Sequence, residues 1–282
     1  MKTNFRGEVM KNLRFGAAVT LAVLTLGVTV AFVQAQSNRP GDKPYEPRKG
    51  QSGKDVIWVP TPDPTAEKML DAARTTPDDY VIDLGSGDGR LVIAAAKRGI
   101  RGHGVEFNPD MVEYARKKAA EAGVADKASF IQGDMYEADI SKATVLPLFL
   151  LSENLERLVP KFLTLKPGTR IVINGYQIYG WEPDQTVLAE GDCGYWCTVY
   201  LYIVPAPAEG TWQLGEQVLT LKQEYQKITG TLGKSAIENA TLNGNEIRFS
   251  VGRTQYMGRI EGAEMKGRIA GARSGVWMAR KG

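Results

Sequence analysis

The residues with the clearest potential for chemistry lie in a segment that reads VIDLGSGDGR. Its apolar run ends on Asp83. Three glycines then follow at alternate positions before a helical pattern begins: Gly85, Gly87 and Gly89. Glycines in a strand-to-helix loop let the backbone approach a ligand closely, at the edge where the carboxyl ends of parallel strands open. The segment predicts a ligand-binding loop that also contains Ser86.

Two more acidic residues end the next two predicted strands. Glu106 ends the second strand, where a carboxylate can accept hydrogen bonds from both hydroxyls of a ribose. Asp134, followed by Met135, ends the third, where an acid can accept a hydrogen bond from an exocyclic amine. A single acid in such a position would be explained by capping of the next helix or turn. Three acids at successive strand ends, together with the glycines, favour a binding edge.

The glycine spacing narrows the class of ligand. Dinucleotide-binding enzymes use Gly-x-Gly-x-x-Gly, whereas this loop has Gly-x-Gly-x-Gly. The spacing therefore disfavours a NAD-dependent dehydrogenase, although both kinds of protein place a glycine-rich loop between a strand and a helix.

Strands and helices alternate around these residues. Apolar runs predict strands at 80–84, 102–107, 128–132, 144–151 and 170–174, and helical patterns cover 90–97, 109–121 and 153–163. An earlier helix, running to about Ala73, is predicted to be capped by Asp63 or Thr65. An antiparallel pair at 187–189 and 198–204 follows. The alternation predicts an α/β fold with a mostly parallel, doubly wound sheet.

The pattern changes after residue 206. Short strands and closely spaced turns follow, and Asn243-Gly244 is a strong signal for a β-hairpin. These features predict a small antiparallel barrel or sandwich. The chain is thus divided into a leader (1–35), a linker (36–55), a ligand-binding domain (56–206) and an accessory β domain (207–282).

Residues 56–204 resemble a class I S-adenosylmethionine-dependent methyltransferase, on the strength of the glycine loop and the three acids. The resemblance implies a seven-stranded Rossmann-like sheet and S-adenosyl-L-methionine as cofactor. It places Asp83 near the amino-acid moiety of the cofactor and passes the loop from Gly85 to Gly89 along it. It also implies that Glu106 holds the ribose. The adenine would lie between two further residues, Asp134 and Met135.

Three segments resemble a narrower group, the protein-lysine methyltransferases that include the mitochondrial enzymes acting on the c subunit of ATP synthase. They read WVPTP from Trp58, IDLGSGDGRLVIAAA from Ile82 and LKPGTRIV from Leu165. The resemblance implies a protein lysine as methyl acceptor. The chain departs from it by its leader, its β domain and the sequence LSEN from Leu151. A small-molecule or lipid acceptor with the β domain closing over it, and a non-catalytic binding protein, are the alternative interpretations.

The acceptor pocket of such an enzyme must lie near the carboxyl ends of the fourth and fifth strands. The residues predicted to line it, with roles in catalysis, are Ser152, Glu153, Asn154 and Tyr176. Thr61 and Asn174 are further candidates. A lysine acceptor has to lose its proton, which desolvation or a nearby base assists.

Composition and charge exclude several classes of protein. The 282 residues are 43% hydrophobic and 24% charged, which excludes a wholly disordered chain. The formal charge of +3 arises in the first 35 residues, so net charge gives no support for nucleic-acid binding.

The leader indicates export. Lys11 and Arg14 precede an apolar run from 15 to 33 that ends in Val-Gln-Ala, as in a secretory signal cleaved after Ala35. An uncleaved membrane anchor is the alternative, because the run approaches the length that spans a bilayer. Met10 is an alternative start. We expect a periplasmic, secreted or membrane-anchored protein that touches the membrane only through this segment.

The two cysteines, Cys193 and Cys197, are the only ones in the chain. Without a nearby histidine or further cysteine they cannot complete a tetrahedral zinc shell, so no metal is expected. Outside the cytosol they could close a small disulfide across a turn. Two free thiols on opposite sides of a hairpin fit the sequence equally well.

Overall fold

The computed structural model describes residues 45–282. The predicted leader and the first part of the predicted linker lie outside the described residues. The first sheet has seven strands, which are β1 (Tyr80–Leu84), β2 (Arg101–Glu106), β3 (Ala128–Gln132), β4 (Val145–Leu148), β5 (Arg170–Asn174), β6 (Gln185–Leu188) and β7 (Thr198–Ile203). Their order is β3-β2-β1-β4-β5-β7-β6. The first five are parallel, whereas β7 runs antiparallel to both β5 and β6.

Four helices cover this sheet: α1 (Asp63–Ala72), α2 (Arg90–Lys97), α3 (Pro109–Glu121) and α4 (Ser152–Phe162). Alternate strand residues point to opposite faces, so Val81 packs with α1, α2 and α3 while the next residue, Ile82, packs with α4. Both faces of the sheet are therefore buried. The predicted doubly wound α/β fold is confirmed, with the reversal in strand order between β1 and β4 that opens a crevice at the carboxyl ends.

The start of α1 differs from the prediction. Pro62 precedes the helix, and no side chain of the described residues caps it. Pro64, in the first turn, suits its position because its fixed φ angle matches the helix and its missing N–H is not needed there. Thr65 instead donates its hydroxyl to the carbonyl of Trp196, at 2.8 Å. A long-range contact has replaced the predicted local cap.

The second sheet is antiparallel and barrel-like, and its strands are β8 (Gly210–Leu214), β9 (Gln217–Glu224), β10 (Lys227–Leu232), β11 (Ser235–Ala236), β12 (Glu238–Asn243), β13 (Glu246–Val251), β14 (Thr254–Glu261), β15 (Glu264–Gly271) and β16 (Gly275–Lys281). The predicted hairpin at Asn243-Gly244 joins β12 to β13. Strand β8 was not predicted, because Trp212 is its only deeply buried residue. The core of this sheet contains Trp212, Phe249 and Trp277.

The two sheets lie within one compact unit that spans Glu46–Gly282. The Tyr225 ring stacks on Trp181 with ring centroids 4.8 Å apart. The Lys227 ammonium lies 2.6 Å from the Glu182 carboxylate. The division into domains at residue 206 therefore stays a prediction.

Part of the predicted linker has a defined structure. The Gly50 N–H donates to the Trp58 carbonyl at 2.8 Å, and the Trp58 N–H donates to the Gln51 carbonyl at 2.9 Å. The chain therefore turns back on itself between these residues, and we name 50–58 the N-terminal hairpin. None of the helices within residues 45–282 is long and apolar enough to cross a membrane.

Candidate active site

The glycine loop leaves β1 with all three glycines at positive φ, between 53° and 80°. The N–H groups of Gly85 and Ser86 both donate to the Val105 carbonyl on β2, at 2.8 and 3.1 Å. A Cβ at Gly87 would overlap the Trp58 indole, and one at Gly89 would overlap the Phe130 ring. The loop is thus shaped by conformation and by close packing, which explains why glycine is needed at these positions.

Glu106 ends β2 with its carboxylate fixed by the backbone. One oxygen accepts the Gly87 N–H and the other accepts the Asn108 N–H, each at 2.9 Å. These bonds orient the side chain at the cavity while leaving further lone pairs on both oxygens free to accept hydrogen bonds. A ligand with two adjacent hydroxyls matches this arrangement.

Asp83 is buried, with 3% of its surface exposed, and lines the same cavity. Burial raises the pKa of its carboxyl well above the usual value, and the negative charges of Glu106 and Asp88 raise it further. A positively charged ligand group would relieve this repulsion. The site is therefore electrostatically suited to an ammonium or sulfonium.

Asp134 follows β3 and is paired with Lys54 of the N-terminal hairpin. The Lys54 ammonium lies 2.5 Å from Oδ2, and the Tyr136 N–H donates to Oδ1 at 2.9 Å. Both hydrogen bonds lower the pKa of Asp134. The same ammonium lies 5.3 Å from the centroid of the Phe107 ring, which is half exposed. Sequence reasoning missed Lys54, because 80 residues separate it from Asp134.

Arg90 links the glycine loop to the segment before α1, and sequence reasoning missed it too. Its guanidinium donates to both oxygens of the buried Asp88, at 3.0 and 2.8 Å. It also donates to the Thr61 carbonyl at 2.8 Å. An Arg directly after the loop is the signal that could have indicated this bracing role.

One cavity of about 400 Å³ gathers most of the predicted cofactor residues. Its lining includes Asp83, Gly85, Ser86, Glu106, Asp134 and Met135. Gly87 and Gly89 do not line it but pack behind the loop. The N-terminal hairpin supplies one wall of the cavity, and it includes residues 50–55 of the predicted linker.

Three aromatic rings line the end of the cavity beyond β4 and β5, and we name them the aromatic triad: Phe149, Tyr176 and Trp196. Their ring centroids lie 5.0 to 6.1 Å from one another. Of these three rings, only Tyr176 was predicted from the sequence. Phe149 directly follows β4, so its place at a strand end could have identified it, whereas Trp196 lies in the cysteine turn, where no strand-end rule applies.

Three of the four predicted catalytic residues do not line this cavity, and their role in catalysis stays a prediction. They lie in the first turn of α4. The Ser152 hydroxyl donates to the Gln177 carbonyl, and the Asn154 amide donates to the Tyr136 hydroxyl, each at 2.8 Å. Glu153 is exposed to solvent. Only Tyr176 reaches the cavity.

Two further expectations about the acceptor pocket have different outcomes. Thr61 lines the cavity as predicted. Asn174 does not line it and is fully buried, and neither of its side-chain polar atoms is hydrogen-bonded within the described part of the chain. As far as residues 207–282 are described, the β domain supplies none of the lining residues, which argues against the interpretation in which it closes over a substrate.

Cys193 and Cys197 are joined by a disulfide, which decides between the two alternatives left open by the sequence. Within residues 45–282, His, Cys, Asp and Glu side chains form no group of three that could hold a metal ion.

The donor set of the cavity fits S-adenosyl-L-methionine. Glu106 offers acceptors to a ribose, Asp83 offers a buried negative charge to an ammonium, and Asp134 offers an acceptor to an amine. The buried Ser86 hydroxyl in the loop has no hydrogen-bond partner among the described residues and packs against Gly104 of β2. The same cavity is therefore lined by the three acids and by the three aromatic rings.

Comparisons with known proteins agree with this geometry. A family model described as the ANTKMT methyltransferase domain matches residues 83–185. A protein-lysine N-methyltransferase of Saccharolobus islandicus is 42% identical over 153 residues, which cover 53% of this chain and 94% of the relative. A lysine N-methyltransferase of Rattus norvegicus, named for the ATP synthase c subunit, is 30% identical over 187 residues, covering 66% of this chain and 78% of that protein.

A solved structure is also similar. It is described as an RNA methyltransferase from Salinibacter ruber in complex with S-adenosyl-L-homocysteine, and it is 47% identical. The match covers 54% of this chain and 98% of that one, with a TM-score of 0.49. On the two curated relatives above, the chain belongs to the family of protein-lysine N-methyltransferases and is an S-adenosyl-L-methionine-dependent enzyme.

Proposed function

We propose that this protein methylates the Nζ atom of a lysine side chain in another protein. The observation that carries the proposal is the aromatic triad, at the end of the cavity that also contains Asp83 and Glu106. A ring face exposed at a cavity wall can bind an ammonium group through cation–π attraction. The names of the two curated relatives support the same acceptor.

On the cofactor side, each acid has a distinct role. Glu106 accepts hydrogen bonds from the two ribose hydroxyls, because the backbone holds its carboxylate in place. Asp83 faces the ammonium of the methionine moiety. Asp134 accepts from the adenine amine, next to Met135 and the Phe107 ring. The bound cofactor supplies an electrophilic methyl group on a sulfonium.

On the acceptor side, the triad desolvates the incoming lysine. A lysine reacts only as the neutral amine, and removal from water lowers its pKa. The Nζ lone pair then forms the new N–C bond as the S–C bond breaks in line with it. The methylated product is again a cation, which the rings bind as an ammonium.

RNA is a less suitable acceptor for the portion of the chain that contains the cavity. Residues 36–206 carry 20 Lys or Arg against 24 Asp or Glu. RNA binding depends on neutralising phosphates with cationic side chains, which this balance disfavours. A small-molecule acceptor would need its own polar contacts in the cavity, whereas the far end offers mainly rings.

Radiolabelled methyl transfer tests the proposal. The protein is incubated with methyl-labelled S-adenosylmethionine and a cell extract separated into protein, RNA and lipid fractions. We expect the label in protein, released as methylated lysine on complete hydrolysis. Label confined to RNA or lipid would contradict a lysine acceptor. Glu106→Ala should abolish the transfer, whereas Glu113→Ala, on the exposed face of α3, serves as the matched control.

We further propose that the enzyme acts outside the cytosol, either secreted or tethered by its leader. The basic and apolar pattern before Ala35 supports export. A disulfide between Cys193 and Cys197 suits an oxidising compartment. Cell fractionation followed by N-terminal sequencing tests this: we expect an exported protein, cleaved after Ala35 or intact in the membrane. Recovery of the intact chain from the cytosol would contradict it.

A further inference from the structure

Trp196 enters the aromatic triad from a short loop closed by a covalent bond. Cys193 and Cys197 flank it, so Trp196 is one of the three residues between the ends of the loop that their disulfide closes. Within this loop the Trp196 N–H donates to the Cys193 carbonyl at 2.9 Å. Cys193 itself is buried. The loop is therefore anchored at the residue that begins it.

A second element holds the same residue from the other side. The Thr65 hydroxyl, on α1, donates to the Trp196 carbonyl at 2.8 Å, and Thr65 is 0% exposed. The indole also packs against Gly175, where a Cβ would lie 2.8 Å from the ring. Trp196 is thus fixed by a covalent ring, a buried hydrogen bond and a glycine that leaves room for it.

We propose that the Cys193–Cys197 disulfide and Thr65 are positioning residues for acceptor binding, because they hold Trp196 in the aromatic triad. This inference rests on the proposed lysine acceptor. Cation–π attraction depends on the ring face pointing at the cation, so a mobile indole loses it. The cofactor contacts lie on β1, β2 and β3, so they do not depend on the loop. Acceptor affinity is therefore linked to the redox state of the cysteines, and cofactor affinity is not.

The redox step is a two-electron reduction. An external dithiol supplies two electrons and two protons, the S–S bond breaks, and two thiols form while the reductant becomes a disulfide. The ring that contains Trp196 is then open. The hydrogen bond from Thr65 still holds the Trp196 carbonyl, but no covalent bond closes the loop.

The experiment uses two titrations of the full chain by calorimetry. The first ligand is S-adenosyl-L-homocysteine, which probes the cofactor side. The second is Nα-acetyl-Nε-trimethyllysine amide, added to protein saturated with S-adenosyl-L-homocysteine, which probes the triad. We expect dithiothreitol to weaken trimethyllysine binding about tenfold and to change the first affinity by less than twofold, because one cation–π contact is worth about 1 to 2 kcal/mol.

Matched variants separate positioning from general destabilisation. Thr65→Val removes the hydroxyl and should weaken trimethyllysine binding, whereas Thr65→Ser should restore it. In Trp196→Ala protein, reduction should have no further effect on trimethyllysine binding. Tyr195→Ala is the control within the loop, because that side chain is 98% exposed.

Each outcome has one meaning. If the oxidised wild type binds S-adenosyl-L-homocysteine but not trimethyllysine, the proposed lysine acceptor is wrong, and this inference falls with it. If trimethyllysine binds and neither reduction nor Thr65→Val weakens it, the positioning role alone is overturned. Equal loss of both affinities on reduction also overturns it, because the loop would then be only a structural support.

Discussion

At the scale of single residues, the protein's own backbone and charges organise the cofactor side of the site. Both oxygens of Glu106 already accept backbone N–H groups, from the glycine loop and from the start of α3. Asp83 is buried among other negative charges. Glu106 provides a fixed geometry, whereas Asp83 provides an unbalanced charge. Substitution of each should therefore change cofactor affinity and stability in a different way.

Glu106→Gln tests the geometric role. The amide keeps the shape of the side chain but has one acceptor oxygen and no charge, so it cannot hold both hydroxyls. We expect the Kd for S-adenosylmethionine to rise about 10- to 100-fold, since a hydrogen bond to a charged group contributes about 1.5 to 3 kcal/mol. Calorimetric titration measures it. An unchanged Kd would show that Glu106 does not hold the ribose.

Asp83→Asn tests the charge. The pKa of Asp83 is raised in the folded protein, so the folded state binds more protons than the unfolded state above the usual carboxyl pKa. The free energy of unfolding contributed by Asp83 therefore falls as pH rises from that usual value through the raised one. The variant should melt higher than wild type at about pH 8 and nearly equally at about pH 4. It should also bind S-adenosylmethionine more weakly.

Thermal melts across this pH range, paired with titrations, check both parts of the prediction. A variant that is less stable than wild type at high pH would contradict the assignment of an unbalanced buried charge. A variant with unchanged cofactor affinity would contradict contact with the ammonium.

At the scale of elements, the glycine loop is the decisive connection. It joins β1 to α2, takes positive φ at three positions and packs against the N-terminal hairpin through Trp58. The conformation of this loop therefore affects two properties, the stability of the fold and the shape of the cavity.

Gly87→Ala and Gly99→Ala distinguish the effect on stability from the effect on cofactor binding. Both glycines have positive φ, so each alanine variant should lose about 1 to 2 kcal/mol of unfolding free energy. A Cβ at Gly99 meets no described atom within 4 Å, whereas one at Gly87 displaces Trp58 from the cavity wall. Only Gly87→Ala should therefore weaken cofactor binding. Equal cofactor affinity in the two variants would contradict a role for Trp58 in shaping the site.

The same scale shows why sequence predicted some elements and missed others. The bounds of β1, β3, β5, α2 and α3 agree with the prediction, because local apolar patterns and a proline at the start of α3 define them. The predicted fourth strand extended to residue 151, but strand β4 ends at Leu148. Residues 149–151 are apolar because they line the cavity, and an apolar run alone does not separate the two roles.

The residues of the candidate site also fall into two groups, those that the sequence predicted and those that it did not. The three acids and the glycines were predictable because strand-end positions in a parallel sheet are local features of sequence. Lys54 and Trp196 were not, because each reaches the cavity through contacts between distant segments. The residues predicted in the first turn of α4 do not line the cavity, because nearness to a strand end does not specify where a side chain points.

At the scale of the whole molecule, the β domain supports the catalytic sheet rather than the cavity. Tyr225 has a positive φ of 53°, an uncommon conformation for a tyrosine, at the turn where it stacks on Trp181. Residues 207–282 carry 11 Lys or Arg against 7 Asp or Glu, whereas residues 36–206 carry 20 against 24, so the two segments differ in the sign of their net charge.

Tyr225→Ala tests that supporting role. Loss of the stack should lower the unfolding free energy by about 1 to 3 kcal/mol, since it removes an aromatic pair and part of its buried area. The Kd for S-adenosylmethionine should stay within twofold, because the described lining of the cavity includes no residue of the β domain. Chemical denaturation and titration measure the two quantities. A large loss of cofactor affinity without loss of stability would contradict a purely supporting role for Tyr225.

The most direct test of the central claim is a crystal structure of the full chain with S-adenosyl-L-homocysteine. We expect the ribose hydroxyls to contact Glu106, the adenine to lie beside Asp134 and Met135, and the sulfur to point towards the aromatic triad. A ligand bound outside this cavity, or one whose sulfur points away from the three rings, would contradict it.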